Sequence, residues 1–124
     1  MRNELVTKLA ARLAGLGAAA FLIAGTAAAH HGWGTYDAKK VLELEGPILE
    51  SRYEFPHGEM VMEGEGKRWT ITLAPPSRMQ TRGLSRDDIA VGRTVKAVGY
   101  PSRIHDAEMR AERIVVAGRT IELR

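Results

Sequence analysis

No cysteine occurs among the 124 residues, which excludes a disulfide, a thiolate metal site and a cysteine nucleophile. Aromatic residues are few, at two Trp, three Tyr and two Phe, and they are too dispersed to form a base-stacking platform; most should pack a core. No strongly apolar run reaches the roughly 20 residues of a membrane-spanning helix. The longest uncharged stretch, Leu13 to Ala29, is built mostly from Ala and Gly. Repeats and low-complexity segments are lacking too, and 13.6 kDa leaves room for one ordinary domain.

What is present at the start is an address. Arg2, Lys8 and Arg12 precede the uncharged stretch, and Thr26-Ala27-Ala28-Ala29 supplies the small residues a signal peptidase requires. The reading is a cleaved signal peptide over 1–29, an N-terminal arm over 30–40 and a β domain over 41–124, exported to the periplasm and free of the membrane after cleavage. Processing changes the electrostatics. The formal charge is +3, but three bases and one acid lie before residue 30, so 15 bases and 14 acids remain in the mature part. A nearly neutral domain with interspersed charges gives no reason to expect nucleic acid as a partner.

Beyond Thr35 the apolar pattern has period two, and Gly or Pro interrupts it at short intervals. Val41 to Glu45 alternates, Gly46-Pro47 bends or bulges the strand, and it resumes from Ile48 to Tyr53. Glu59 to Glu63 and Arg68 to Ala74 form a hairpin across Gly64-Glu65-Gly66-Lys67. Its core face carries Met60, Met62, Trp69, Ile71 and Leu73. Ser77 to Arg82, closed by Gly83, reads as a helix of two turns at most, and Ser85 to Asp88 as a cap or turn. Strands follow at Thr94 to Gly99, Met109 to Ala117 and Thr120 to Leu123. This order predicts an all-β fold: a small five- to six-stranded OB-like barrel with one short helix between strands 3 and 4.

All four histidines lie in the exported part. Cleavage after Ala29 leaves His30-His31 at the new terminus, where the α-amine and the His30 imidazole can chelate one metal ion. A cut one residue earlier puts His31 third, and a cut after Ala27 puts His30 third. That position lets amine, backbone amide nitrogens and imidazole enclose Cu(II) or Ni(II) in a square plane. Nitrogen donors and the Irving–Williams order favour copper. His57, in Phe55-Pro56-His57-Gly58 between the first two strands, offers a third donor on a loop where OB-type barrels bind ligands. The candidate metal set is therefore His30, His31 and His57, with His105 in reserve. Gly64-Glu65-Gly66 is explained by the hairpin turn and Asp87-Asp88 by a helix start. No Ser/His/Asp spacing suggests catalysis. An oxidative copper enzyme with a terminal-histidine brace would need more substrate surface than about 95 residues provide.

The combination Ala29-His30-His31 with Trp33, Tyr36 and Asp37, then Pro56-His57, then Gly92-Arg93-Thr94-Val95-Lys96-Ala97-Val98-Gly99, resembles an uncharacterised family of small exported bacterial proteins. That family's mature part opens with Ala-His-His and carries a Pro-His step after the first strand. Phe55 stands where Asn is usual there, and Tyr100-Pro101 stands in place of His-Pro. The resemblance implies export, a small β domain, and a recurring set of His30, His31 and His57. The function expected is binding or carriage of a transition metal, with an envelope protein or peptide as a further partner. The alternative is a metal-independent periplasmic module that binds a peptide, saccharide or partner protein.

Overall fold

A computed structural model describes residues 32–124. The segment 1–29 expected to be a signal peptide, His30 and His31 lie outside those residues.

The alternating pattern forms six strands in one sheet: β1 (Leu42–Arg52), β2 (Glu59–Gly64), β3 (Lys67–Thr72), β4 (Thr94–Pro101), β5 (Glu108–Val116) and β6 (Arg119–Glu122). One helix, α1 (Pro76–Arg82), lies between β3 and β4. The sheet order is β3-β2-β1-β4-β5-β6, and a further pairing of β3 with β5 closes the first five strands into a barrel. That seam is parallel, with Thr70, Ile71 and Thr72 opposite Glu108, Met109 and Arg110. The remaining pairings are antiparallel, and the OB-like order expected from the sequence is the one formed. β6 extends the sheet beyond the closed barrel.

β1 serves two neighbours. Leu42 to Pro47 pair with β4, while Ile48 to Arg52 pair with β2, with an irregularity between Ile48 and Glu50. Gly46 permits the crossing because any Cβ there would overlap the Glu63 carbonyl oxygen. In the β2–β3 and β5–β6 turns both central residues are left-handed, with φ of 51° and 75° at Glu65 and Gly66 and 48° and 74° at Ala117 and Gly118. Such turns match the right-handed twist of the strands they join.

The barrel interior holds Leu44, Ile48, Met60, Met62, Trp69, Ile71, Leu73, Met109 and Ile114, with Met79 of α1 closing one end. Met60 and Met62 are thus core residues, as their alternation required. α1 stops at Gly83, whose φ of 89° is the left-handed cap that Cβ-bearing residues resist. Leu84 N–H then bonds the Met79 carbonyl at 2.8 Å.

β4 runs two residues beyond the expected end. Tyr100 pairs with Arg110 and Pro101 with Met109. Proline lacks an N–H, but its carbonyl accepts from Asp37 at 2.9 Å, so the arm uses the position that proline leaves. Opposite Val98 and Gly99 the pairing skips Glu112, which leaves a bulge in β5 whose Glu112 carbonyl accepts from Leu123 N–H at 2.8 Å. Phe55 is exposed, at 87%, and Tyr53 and Trp69 are the aromatics of the core cluster among the described residues.

Candidate functional site

His57 stands in the β1–β2 loop, half-buried. The loop is pinned to the end of β3, because Gly58 N–H donates to the Ala74 carbonyl at 2.8 Å and Leu73 N–H donates to the Gly58 carbonyl at 2.9 Å. The Tyr53 hydroxyl adds a 2.6 Å bond to the Leu84 carbonyl, and Arg86 reaches back to the Tyr53 carbonyl at 3.2 Å. Nδ1 of His57 is 3.1 Å from the Gly58 carbonyl oxygen. In the tautomer that donates Nδ1–H to this carbonyl, Nε2 carries the lone pair, the polarity by which a neighbouring carbonyl orients a metal-binding imidazole. His105 is exposed in the β4–β5 loop, its backbone N–H held by Ser102 Oγ at 3.0 Å. That loop meets β3 at Thr70, through Thr70 N–H and the Ala107 carbonyl, whereas the His57 loop meets it at Leu73 and Ala74. The two histidine loops therefore reach β3 at different levels. Among the described residues no group of three His, Asp or Glu is poised to hold a metal ion.

The residues just after His31 dock on the barrel. Trp33–Thr35 forms a single 3-10 turn, Tyr36 bridges to Ser102, and Asp37 pairs with Arg103 at 3.6 Å. Tyr36 is buried outside the barrel interior, where its hydroxyl contacts Thr72 Oγ1 at 3.4 Å and Glu108 Oε1 at 3.1 Å. Burial, together with Glu108, pushes the Tyr36 phenol above its ordinary value.

Around Trp33 lies a cluster that sequence reasoning missed. The Arg110 guanidinium is 4.2 Å and that of Arg124 4.8 Å from the indole centroid, and the Tyr100 ring meets its edge at 6.0 Å. Tyr100 donates to Glu112 Oε2 at 2.8 Å, while Arg124 stands 3.8 Å from Glu112 Oε1. Arg78 of α1 donates to the Leu123 carbonyl at 3.3 Å. Burial first, then the like charges of Arg78 and Arg124, hold Arg110 below the usual guanidinium value. The sequence signal was there in Trp33 and Tyr36, two scarce aromatics directly after His30-His31, but nothing local named their partners.

The indole should hold the arm in place. Two exposed-to-half-buried cation–π contacts contribute about 1–2 kcal/mol together, so Trp33→Ala should speed amide exchange at Asp37 roughly tenfold or more. Exchange in β1 to β3 should not change. Hydrogen-exchange mass spectrometry on peptides covering 33–40 checks this.

One solved structure similar to the chain is a crystal structure of TiaS in complex with an isoleucine tRNA and ATP, at 14% identity and a TM-score of 0.48, with the match covering 72% of this chain and 20% of that one. This chain thus spans a fifth of the length of that solved chain. None of the curated proteins compared matches it. Residues 19–110, most of the sequence including the arm, the Pro56-His57 step and the barrel through early β5, match the model of a family of unknown function, and the chain belongs to that family, DUF6152.

Proposed function

We propose that this family member is an exported periplasmic carrier of a transition metal, copper by preference, which it holds through its processed amino terminus, His30 or His31, and His57. The observation that carries the reading is where the arm docks. Trp33 stacks on Arg110, Arg110 is in register with Thr72, and the chain just past Thr72 holds the loop of His57. From Trp33 to His30 is three residues, a reach of at most about 11 Å. The Nδ1 contact of His57 with a carbonyl supports the same reading, since the tautomer that donates there leaves the imidazole's lone pair on Nε2. The role is binding and delivery, with no catalytic step assigned.

The test is a Cu(II) titration of protein recovered from the cell envelope, its terminus fixed by intact mass. A chain with an acetylated terminal amine and a His57→Ala chain are titrated beside it. Acetylation should weaken binding about 100-fold and His57→Ala about tenfold or more, because each removes a nitrogen donor. Equal affinity of micromolar or weaker in all three sinks the proposal. Metal-independent capture of an envelope peptide would then favour the interaction module.

A further inference from the structure

We propose that the cleft between the β1–β2 loop and α1 binds a neutral oligosaccharide of all-equatorial pyranose units, with one sugar stacked on the ring of Phe55. The cleft measures about 500 Å³, within the roughly 300–1,000 Å³ of small-ligand sites. Tyr53, Glu54 and Phe55 line it from the chain after β1, Pro76 and Gln80 from α1, and Ser85 and Arg86 from the chain that follows the helix. Pro76 and Gln80 are four residues apart and so share one face of α1.

Phe55 is 87% exposed, which leaves a whole aromatic ring in unfavourable contact with water. The backbone that carries it is held at both ends. On one side the Tyr53 hydroxyl donates to the Leu84 carbonyl at 2.6 Å, and on the other Gly58 N–H donates to the Ala74 carbonyl at 2.8 Å while the Gly58 carbonyl accepts from Leu73 at 2.9 Å. Tyr53 offers no second stacking face, because it is buried and the Arg86 guanidinium lies over its ring at 5.4 Å. Phe55 is therefore the ring that the cleft leaves open to a ligand.

The polar lining fixes the ligand class. The Glu54 carboxylate accepts, the Arg86 guanidinium donates, and the Gln80 amide and Ser85 hydroxyl do both. Among the described residues the side chains of Glu54 and Gln80 take part in no hydrogen bond or ion pair, and Arg86 spends one N–H on the Tyr53 carbonyl at 3.2 Å. One carboxylate and one guanidinium offset each other, so the cleft favours a neutral ligand over an anion or a cation. Mixed donors and acceptors suit hydroxyls, each of which is both. A pyranose with every substituent equatorial carries its hydroxyls around the rim and C–H bonds on its two faces, and those hydrogens meet the negative face of an aromatic ring. A peptide fits less well. Both polar groups of the Gly58 backbone are already bonded, so that stretch offers no open edge for strand addition, and a polyproline groove needs several open rings. The site is independent of the metal proposal and is tested with chelator present.

The experiment is a calorimetric titration of the envelope-purified chain with cellotetraose and, in a second arm, with chitotetraose. Both are all-equatorial; the first carries hydroxyls alone and the second N-acetyl groups, so the tighter arm identifies which kind of glycan is the source. Saturable binding in the millimolar range or tighter is expected, weakened about tenfold by Phe55→Ala and about fivefold by Gln80→Ala. Phe55→Leu, which keeps an apolar side chain without a ring, should bind as poorly as Phe55→Ala, and Phe55→Trp at least as well as the native chain. Melting temperatures should not move, because the Phe55 ring is outside the core. Ile104→Ala removes another exposed apolar side chain, 63% exposed in the β4–β5 loop, and should leave binding unchanged. The proposal is overturned by the absence of saturable binding in both arms, by native affinity in Phe55→Leu, by an Ile104→Ala loss as large as that of Phe55→Ala, or by binding of an octaproline peptide in place of the sugars.

Discussion

Gly99→Val is expected to prevent stable folding, or at least to cost about 4 kcal/mol, with the midpoint in a urea melt falling accordingly. A Cβ at Gly99 would overlap the Arg110 carbonyl oxygen and stand 2.8 Å from Ala111 Cα. Neither atom can move without opening the β4–β5 ladder, because Gly99 pairs with Ala111 at the bulge where the register skips Glu112. Backbone meeting backbone is the case in which a core has no rotamer with which to adapt. The same bulge stands between the neighbours of the Trp33 cluster, Tyr100 on β4 and Glu112 on β5, so any folded remnant should also lose the Tyr100–Glu112 bond. Gly34→Ala is the control. Nothing lies within 4 Å of its Cβ position, so its midpoint should match the native one within error.

Asp88→Ala should cost about 3 kcal/mol, and the loss should be pH-dependent. Asp88 is buried in the 3-10 turn after α1 and exchanges bonds with Ser85. Its Oδ2 accepts from Ser85 N–H at 2.9 Å, and Ser85 Oγ accepts from Asp88 N–H at 3.2 Å. Oδ1 accepts from Arg119 at 2.7 Å, with Arg93 at 3.6 Å. Removing the carboxylate leaves a partly buried backbone N–H and two half-exposed guanidiniums without it. The Ser85 backbone bond is the largest cause that holds this carboxyl below its usual value, with Arg119 adding to it against the opposing effect of burial. A group whose folded pKa is depressed stabilises the fold fully above its unfolded value, near pH 4, and the contribution is lost as pH falls through the lower folded value. Native protein should therefore lose stability steeply on acidification below about pH 4. The Asp88→Ala curve should be flatter there, and the two should converge in thermal melts at the acid end.

Much of the barrel is legible in residue order. Period-two alternation at Leu42 to Ile48, Met60 to Met62 and Trp69 to Leu73 places side chains on one face whatever the strands later pair with, so the core residues of these strands can be named in advance. The Gly83 stop of α1 and the Gly-containing turns are local backbone effects, readable for the same reason. Phe55 is the exception. An apolar residue in a loop carries no phase, and here it lies on the rim of a shallow cleft of about 500 Å³ beside Tyr53, Pro76 and Arg86. Asp87-Asp88 looks like a simple helix start, yet only Asp88 turns inward, because Arg119 arrives from β6, 31 residues away in the chain.

The sequence by itself determined the chemistry on offer: no thiol, the adjacent His30-His31, two further histidines at positions 57 and 105, and strands whose alternation defines an inside. Closure determined which of these residues meet. The parallel seam of β3 and β5 brings Thr72, Arg110 and the His57 loop to one level, and the skipped Glu112 shifts the phase of β5 around Tyr100. Arg110 and Arg124 join Trp33 for that reason alone. Spacing along a strand reports the face a residue takes, but contacts across 45 or 91 positions, as for Arg78 with Leu123 and Arg124 with Trp33, depend on strand register and barrel closure.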